Sequence, residues 1–444
     1  KIETEERLAT VSEQEILSKY VGWGGLPMAF DEIQWPNEYR ELKSLLSENE
    51  FVSARESTLN AHYTSPIIIR AIYEAIERMG FRMGNILEPA CGIGNFFGCA
   101  PSSMSRSRFF GVELDGISGR IAKQLYQDAN IAVEGFEVSA VPDSFFDLAI
   151  GNVPFGQYKI ADKRYDKHNF LVHDYFFAKA LDKVRPGGVI AFITSKGTMD
   201  KQNPSVRKYI ARRADLLGAI RLPNDAFKAA GTEVTSDILF LQKRERMEDL
   251  DQDWIHLSTT DEGVTINQYF VDHPEMVLGQ LVQVTNQFGR PDTACMPLEN
   301  SSLSELLSEA ITGIQAQMKE RDLEVETEDQ EASIPADPNV RNFSFCVVEG
   351  DIYYRKNSLM KKETVSAMAE KRIKGMIPIR DCMRDLIEYQ MSDYSDETIT
   401  ACRLRLNSIY DDFTKTYGLV TSRANAQAFE KDSSYPLIRA LAEL

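Results

Sequence analysis

Between residues 66 and 242 short apolar runs alternate with amphipathic stretches, and this alternation restricts the fold more than any other feature of the chain. Helical spacing over 66–79, 95–100, 117–129, 171–184 and 204–213 is interleaved with strand-like runs at 85–89, 109–114, 146–151 and 188–194. A last strand pair is expected near 216–221 and 236–242. Strands alternating with helices imply an α/β domain with a parallel sheet wound by right-handed crossovers, and such sheets take ligands at the C-terminal ends of their strands.

Two of those strand ends carry chemistry. The run Asn85-Ile86-Leu87-Glu88-Pro89-Ala90-Cys91-Gly92-Ile93-Gly94-Asn95-Phe96-Phe97 reads as strand, glycine turn and helix start. Glycines 92 and 94 let the backbone approach a ligand closely. The next strand ends in Glu113-Leu114-Asp115, about twenty residues on, where a carboxylate can hold ribose hydroxyls. The full Gly-x-Gly-x-x-Gly spacing is absent, which argues against a pyrophosphate ligand. The strand at 146–151 runs into Asn152-Val153-Pro154-Phe155. There the Asn152 side-chain oxygen and the Val153 carbonyl could accept hydrogen bonds from one NH2 group while Phe155 stacks on the ring that carries it. A plain strand-to-turn exit also accounts for the tetrapeptide taken alone.

Together these segments resemble the S-adenosylmethionine-dependent amino-methyltransferases, in the order found in gamma-class N6-adenine DNA methyltransferases. The resemblance implies a Rossmann-like fold with S-adenosyl-L-methionine as cofactor. Its cofactor residues would be Tyr63 and Thr64 in Tyr63-Thr64-Ser65-Pro66, then Glu88, Pro89, Ala90, Gly92, Gly94 and Asn95. Glu113 would be the ribose acid with Leu114 beside it, and Glu137 the cofactor-adenine acid. Asn152, Val153, Pro154 and Phe155 would be catalytic, acting on an adenine flipped out of duplex DNA. Valine at 153 replaces the family's usual proline but keeps the backbone carbonyl. Phe227, in the stretch before the last strand, is the candidate to pack against the flipped base; filling a gap in the core is its other reading.

The whole chain resembles, less specifically, the methylase portion of large methylase-helicase proteins of bacterial mobile elements and phages. Val21-Gly22-Trp23-Gly24-Gly25 and the segment His273 to Gly279 contribute to that likeness. It implies double-stranded DNA as partner, a helicase module in the same polypeptide, a restriction-modification setting, and the cytoplasm of a bacterial or phage-infected cell. Protein glutamine and RNA adenine methyltransferases could use the same grip on an NH2 group, and an idle DNA-binding scaffold for a helicase is a further alternative.

Composition narrows the field. A net charge of -17 speaks against a protein that coats nucleic acid indiscriminately. Cations are nonetheless clustered: Lys159, Lys163, Arg164 and Lys167 follow the tetrapeptide, and Arg355, Lys356, Lys361, Lys362, Lys371, Arg372 and Lys374 crowd a later segment. Of these, Lys159, Lys361, Lys362, Lys371 and Arg372 are candidates for phosphate contact, against the alternative of a solvated face. The 6 cysteines and 5 histidines show no ligand spacing, so neither a metal site nor a disulfide framework is expected. No apolar run is long enough to span a bilayer, and no membrane partner is expected. The first residue is Lys1, which suggests an excised or processed piece. Four regions are expected: a helical extension at 1–60, the catalytic domain at 61–244, a connecting region with an acidic linker at 245–335, and a mainly helical domain at 336–444 for target recognition or docking.

Overall fold

The computed structural model describes residues 2–24, 26–58, 63–228, 231–285, 289, 291–314, 316–318, 333–391 and 394–442. The expected acidic linker, Glu320 to Glu331, lies outside these residues. The chain divides into two compact units, Lys1–Val141 with Phe146–Asp322, and Pro142–Phe145 with Leu323–Leu444.

The first unit opens with α1 (Val11–Leu17), α2 (Pro36–Leu45) and α3 (Glu48–Ser57). Capping boxes start α1 at Thr10 and α3 at Ser47, each with a glutamate three residues on that bonds back to the cap. Then come α4 (Pro66–Arg78), β1 (Asn85–Glu88), α5 (Asn95–Gly98), β2 (Arg108–Glu113), α6 (Gly116–Leu125), β3 (Asn130–Val133) and β4 (Phe146–Asn152). The alternation continues through α7 (Val172–Lys183), β5 (Val184–Ser195), α8 (Gly197–Asp200), α9 (Ser205–Ala211), β6 (Ala214–Leu222) and β7 (Ser236–Lys243).

These seven strands form one sheet in the order β3-β2-β1-β4-β5-β7-β6. The pairs among β1 to β5 are parallel, whereas β7 runs antiparallel to both β5 and β6. The expected parallel sheet is present through β1 to β5, and the final strand pair adds an antiparallel edge to it. β7 follows β6 in the chain and pairs with it directly, as its antiparallel neighbour. The middle of β4 is buried on both faces, as is most of β5 and β7, which explains their near-continuous apolar sequences. The buried Arg221 fastens this edge: it holds Asp237 of β7 in two bonds of 2.8 and 2.9 Å, meets Asp200 at 2.8 Å, and lies over the Phe270 ring.

Beyond the sheet, two hairpins and two α-helices follow among the described residues of the first unit. They are β8 (Leu257–Thr259) with β9 (Thr265–Asn267), α10 (Gln268–Asp272), β10 (Gln280–Thr285) with β11 (Pro291–Met296), and α11 (Leu303–Gly313). All of these belong to the first unit.

The second unit contains β12 (Ser333–Pro335), β13 (Phe345–Val348), β14 (Asp351–Lys356) and β15 (Leu359–Lys362), an antiparallel sheet in the order β12-β15-β14-β13. α12 (Ala367–Met391), α13 (Asp396–Tyr417), α14 (Arg423–Phe429) and α15 (Tyr435–Ala442) follow. Its core gathers Phe345 and Ile352 from the sheet with Ile373, Met376, Ile379, Leu406, Phe413 and Phe429 from the helices. The helical character expected here is present, and the four-stranded sheet is an addition to it. No described helix is long and apolar enough to cross a membrane.

Candidate active site

The site forms where β1, β2 and β4 end. After β1 the chain turns through Gly92 and Gly94, at φ +55° and +87°, a region that side chains rarely tolerate. A β-carbon at Gly94 would also stand 2.5 Å from the Tyr126 ring, so the close turn into α5 requires glycine on both counts. The turn leans on β2, where the Gly92 N–H donates to Glu113 Oε2 at 2.7 Å and the Asp115 N–H donates to Oε1 at 2.8 Å. Asp115 itself caps α6, accepting from the Ser118 N–H at 2.8 Å and from its hydroxyl, and it accepts from the Ser53 hydroxyl of α3 at 3.0 Å. β4 closes the group. Gly151, at φ +152°, turns the last residue of that strand, Asn152, into the pocket wall.

Tyr63, Thr64, Glu88, Ala90, Cys91, Gly92, Asn95, Phe96, Glu113, Asp115, Ser118 and Asn152 thus line one cavity of about 100 Å³. A second cavity, of about 490 Å³, shares Tyr63, Thr64 and Asn95 with it and adds Ser18, Tyr20, Val21, Ala226 and Phe227 among others. A cofactor-sized molecule needs several hundred Å³, more than the first chamber alone offers.

The first chamber is lined by three acids, Glu88, Glu113 and Asp115. Burial, and then the neighbouring charge of Glu113, holds the Glu88 carboxyl well above the usual carboxylate range. Burial also pushes Glu113 up to about 7, against the pull of its backbone N–H donors. The Tyr20 and Tyr63 phenols are raised too, by burial first. Glu88 Oε2 is buried and accepts no hydrogen bond among the described residues.

Several sequence-derived candidates therefore converge: Tyr63, Thr64, Glu88, Ala90, Gly92, Asn95, Glu113 and Asn152. Others do not. Leu114 is 74% exposed and contributes nothing to the wall. Glu137 is absent from both linings, and its carboxyl folds back over Gly135 while its carbonyl accepts from Lys179 at 2.8 Å. Val153 is buried, its N–H held by the Ile193 carbonyl at 3.1 Å. Pro154 and Phe155 are half-buried and border neither cavity. Phe227 is buried in the wall of the second cavity. Tyr20 and Ser118 were not singled out for the site, and Asp115 entered only as the acid two residues beyond Glu113. Tyr20 and Phe227 are two hundred residues apart, and no local pattern announces such a meeting.

The basic clusters are partly committed elsewhere. Lys159 donates to Asn169, and Arg164 pairs with Asp182 at 2.8 Å. In the second unit Arg355 is buried, and Lys362 pairs with Asp351 at 2.5 Å. Arg372 donates to the Tyr417 carbonyl at 3.1 Å and to Asn425. Lys371 is exposed and Lys361 half-buried.

The sequence profile of N-6 DNA methylases matches residues 45–268, half of the chain. The chain belongs to the N-6 DNA methylase family. Membership brings S-adenosyl-L-methionine as cofactor and methyl transfer as the chemistry. Over 192 residues, 42% of this chain, the methylase is 32% identical to the Defense against restriction protein B of Escherichia phage P1, spanning 8% of that protein. Over 105 residues, 23% of the chain, it is 35% identical to the Type II methyltransferase M.CvrRI of Paramecium bursaria Chlorella virus XZ-6E, spanning 27% of it. The chain thus matches well under two thirds of the length of either relative. A solved structure assigned as the modification subunit of a type I restriction enzyme from Vibrio vulnificus YJ016 is similar at 16% identity and a TM-score of 0.37, covering 62% of this chain and 65% of that one.

The pocket fits the family's cofactor in character. The glycine turn leaves open space at Gly92, and Glu88 Oε2 has no hydrogen-bond partner among the described residues. Glu113 would hold the ribose, and Tyr63, Thr64 and Asn95 the remainder.

Proposed function

We propose that this methylase is a site-specific DNA adenine-N6 methyltransferase acting on a flipped adenine. The observation that carries the reading is the placement of Asn152, at the end of β4, in the same chamber as Glu88 and Glu113. When bound, the cofactor supplies an electrophilic methyl group. The chain's task is to make the adenine amine receptive. The lone pair of that amine is delocalised into the ring, and two acceptors on its N–H groups favour the tetrahedral nitrogen that can react. Asn152 Oδ1 and the Val153 carbonyl are those acceptors, and they also stabilise the positive charge that grows on nitrogen. Val153 is fixed for this by its bond to β5. Phe155, outside the chamber, is available to stack on the base, and the aromatic wall at Phe227 closes the second cavity. A base within a duplex cannot reach such a recess, so the target leaves the stack first.

In the second unit, the exposed Lys371 is the candidate for phosphate contact, with duplex DNA as partner and a helicase module in the same polypeptide. A methyl mark found in cellular DNA on adenine N6 after expression in a host without adenine methylation, and lost with Asn152→Ala, supports the reading. Methyl incorporation into protein glutamine or RNA instead of DNA would replace it.

A further inference from the structure

The segment His273 to Gly279 has a structural purpose at its end. The Leu278 N–H donates to the Arg221 carbonyl at 2.9 Å, which fixes the chain along β6, and β10 leaves directly after Gly279. A β-carbon at Gly279 would stand 2.3 Å from the Met296 carbonyl oxygen, so glycine lets β10 and β11 close at their root. β11 is bonded in turn to the loop 223–235, which carries Ala226, Phe227 and Gly231 of the second cavity. Cys295 spans the neck of that loop: its carbonyl accepts from the Asn224 N–H at 2.7 Å, and its N–H donates to the Thr235 hydroxyl at 2.9 Å. Lys196, one residue beyond β5, holds the same strand through Asp292 at 2.5 Å and the Thr293 carbonyl.

The outer half of this ribbon is bare. Cys295 at the root is buried, whereas Gln283, Val284 and Thr285 are exposed. A two-stranded ribbon is marginal by itself, and here several anchors hold it against the wall of the second cavity. Gln283 and Thr285 lie on one face, with Thr293 as the cross-strand neighbour of Gln283, so that face is uniformly rich in hydrogen-bonding groups. The Gln283 amide reaches the Gly263 carbonyl at a long 3.4 Å. Asp292 is the one charged residue among the described residues of β10 and β11, and Lys196 offsets it. A polyanion therefore approaches the ribbon without meeting an unpaired carboxylate on its strands.

We propose that the β10–β11 ribbon enters the major groove of duplex DNA beside the flipped adenine and reads the neighbouring bases. The proposal rests on the reading of the substrate as DNA. The major groove admits a two-stranded ribbon, a glutamine amide pairs with an adenine edge, and a threonine hydroxyl serves several bases. Because Cys295 belongs to the ribbon and also closes the neck of loop 223–235, bases held by the ribbon are in register with the wall at Phe227.

The test begins with the site that the wild type methylates, mapped by sequencing of modified bases. A short duplex carrying that site should slow hydrogen exchange at the amides of β10 and β11 in the full chain. Unchanged exchange there overturns the proposal, and this measurement needs no variant. Gln283→Glu with Thr285→Glu sets two charges against the DNA and should weaken duplex binding by about tenfold, with calorimetric affinity for S-adenosylmethionine unchanged. Met247→Glu with Leu250→Glu, at exposed positions outside the ribbon, makes the same change in net charge and should bind the duplex as wild type does. Full duplex affinity in the ribbon pair, or an equal loss in both pairs, overturns the proposal. A wild type that leaves no methyl mark on DNA defeats the reading of the substrate and this proposal with it, a result separable from a wild type that methylates DNA but leaves the ribbon unprotected.

Discussion

Replacing Glu113 by Gln should make the cofactor-free protein more stable at alkaline pH and less stable at acidic pH. Folding raises this carboxyl from 4.5 to about 7. Below pH 4.5 the group is protonated in both folded and unfolded chains and costs nothing. Between 4.5 and 7 the unfolded chain gives up the proton while the folded one retains it, so stability falls as pH rises. Above 7 the loss is constant, and a difference of 2.5 units corresponds to about 3 kcal/mol at full burial. Solvent reaching the pocket mouth makes this an upper value, because Glu113 retains some exposure. Glutamine lacks this titration. It also keeps only one of the two acceptors for Gly92 and Asp115, a loss of roughly 1 to 2 kcal/mol at every pH. The variant should therefore exceed wild type by about 1 kcal/mol above neutrality and trail it by a similar amount in acid. Urea unfolding followed by tryptophan fluorescence is the assay, since Trp23, Trp35 and Trp254 all belong to the first unit. A stability difference between variant and wild type that does not move with pH would refute the reasoning. Cofactor affinity should drop in the same variant.

Asn152→Ala should lower turnover by roughly 10²-fold or more, since it removes an acceptor needed in the transition state, while titrated cofactor affinity stays as it was. Asp237→Ala strands the buried Arg221 with half of its compensation and should cost roughly 3 kcal/mol, read as a lower urea midpoint for the first unit. Arg372→Ala should lower the stability of the second unit by about 1 kcal/mol through its lost bond to the Tyr417 carbonyl, whereas Lys371→Ala should leave stability untouched. If the second unit holds DNA, Lys371→Ala also flattens the salt dependence of binding; an unchanged slope assigns that surface another role.

The parts of the fold visible beforehand are those whose cause is local. Phe146 to Ile150 is apolar apart from Asp147, which Arg185 pairs, because both faces of β4 are covered, and the cover thins at Asn152. Gly92 and Gly94 mark their turn because no other residue suits that backbone. β3 escaped notice because four residues at a sheet edge, opening on Asn130, carry little pattern, and the helix before it seemed to continue. The reversal of β7 depends on how the chain returns, which its own residues do not encode. The sheet of the second unit was hidden by short strands with charges interspersed. The pocket was legible where one strand end supplies a residue, as with Glu88, Glu113 and Asn152. It was not legible where the wall is assembled from afar, as with Tyr20, or where a side chain curls away, as Glu137 does.

The amino-terminal helices do more than precede the sheet. Ser53 reaches Asp115, the Ala9 N–H donates to Gln124 at 2.8 Å, and Arg120 joins Glu3 and Glu50, so four residues of the extension grip α6 and its cap beside Glu113. Exchange of genetic modules between related chains would have to respect that grip. A crossover placed near residue 60 unites one ancestor's helices with another's α6, leaving Arg120 and Asp115 facing strangers. The segment inherited as a unit should therefore begin well upstream of the glycine turn, and natural chimaeras should keep the extension and α6 from the same parent.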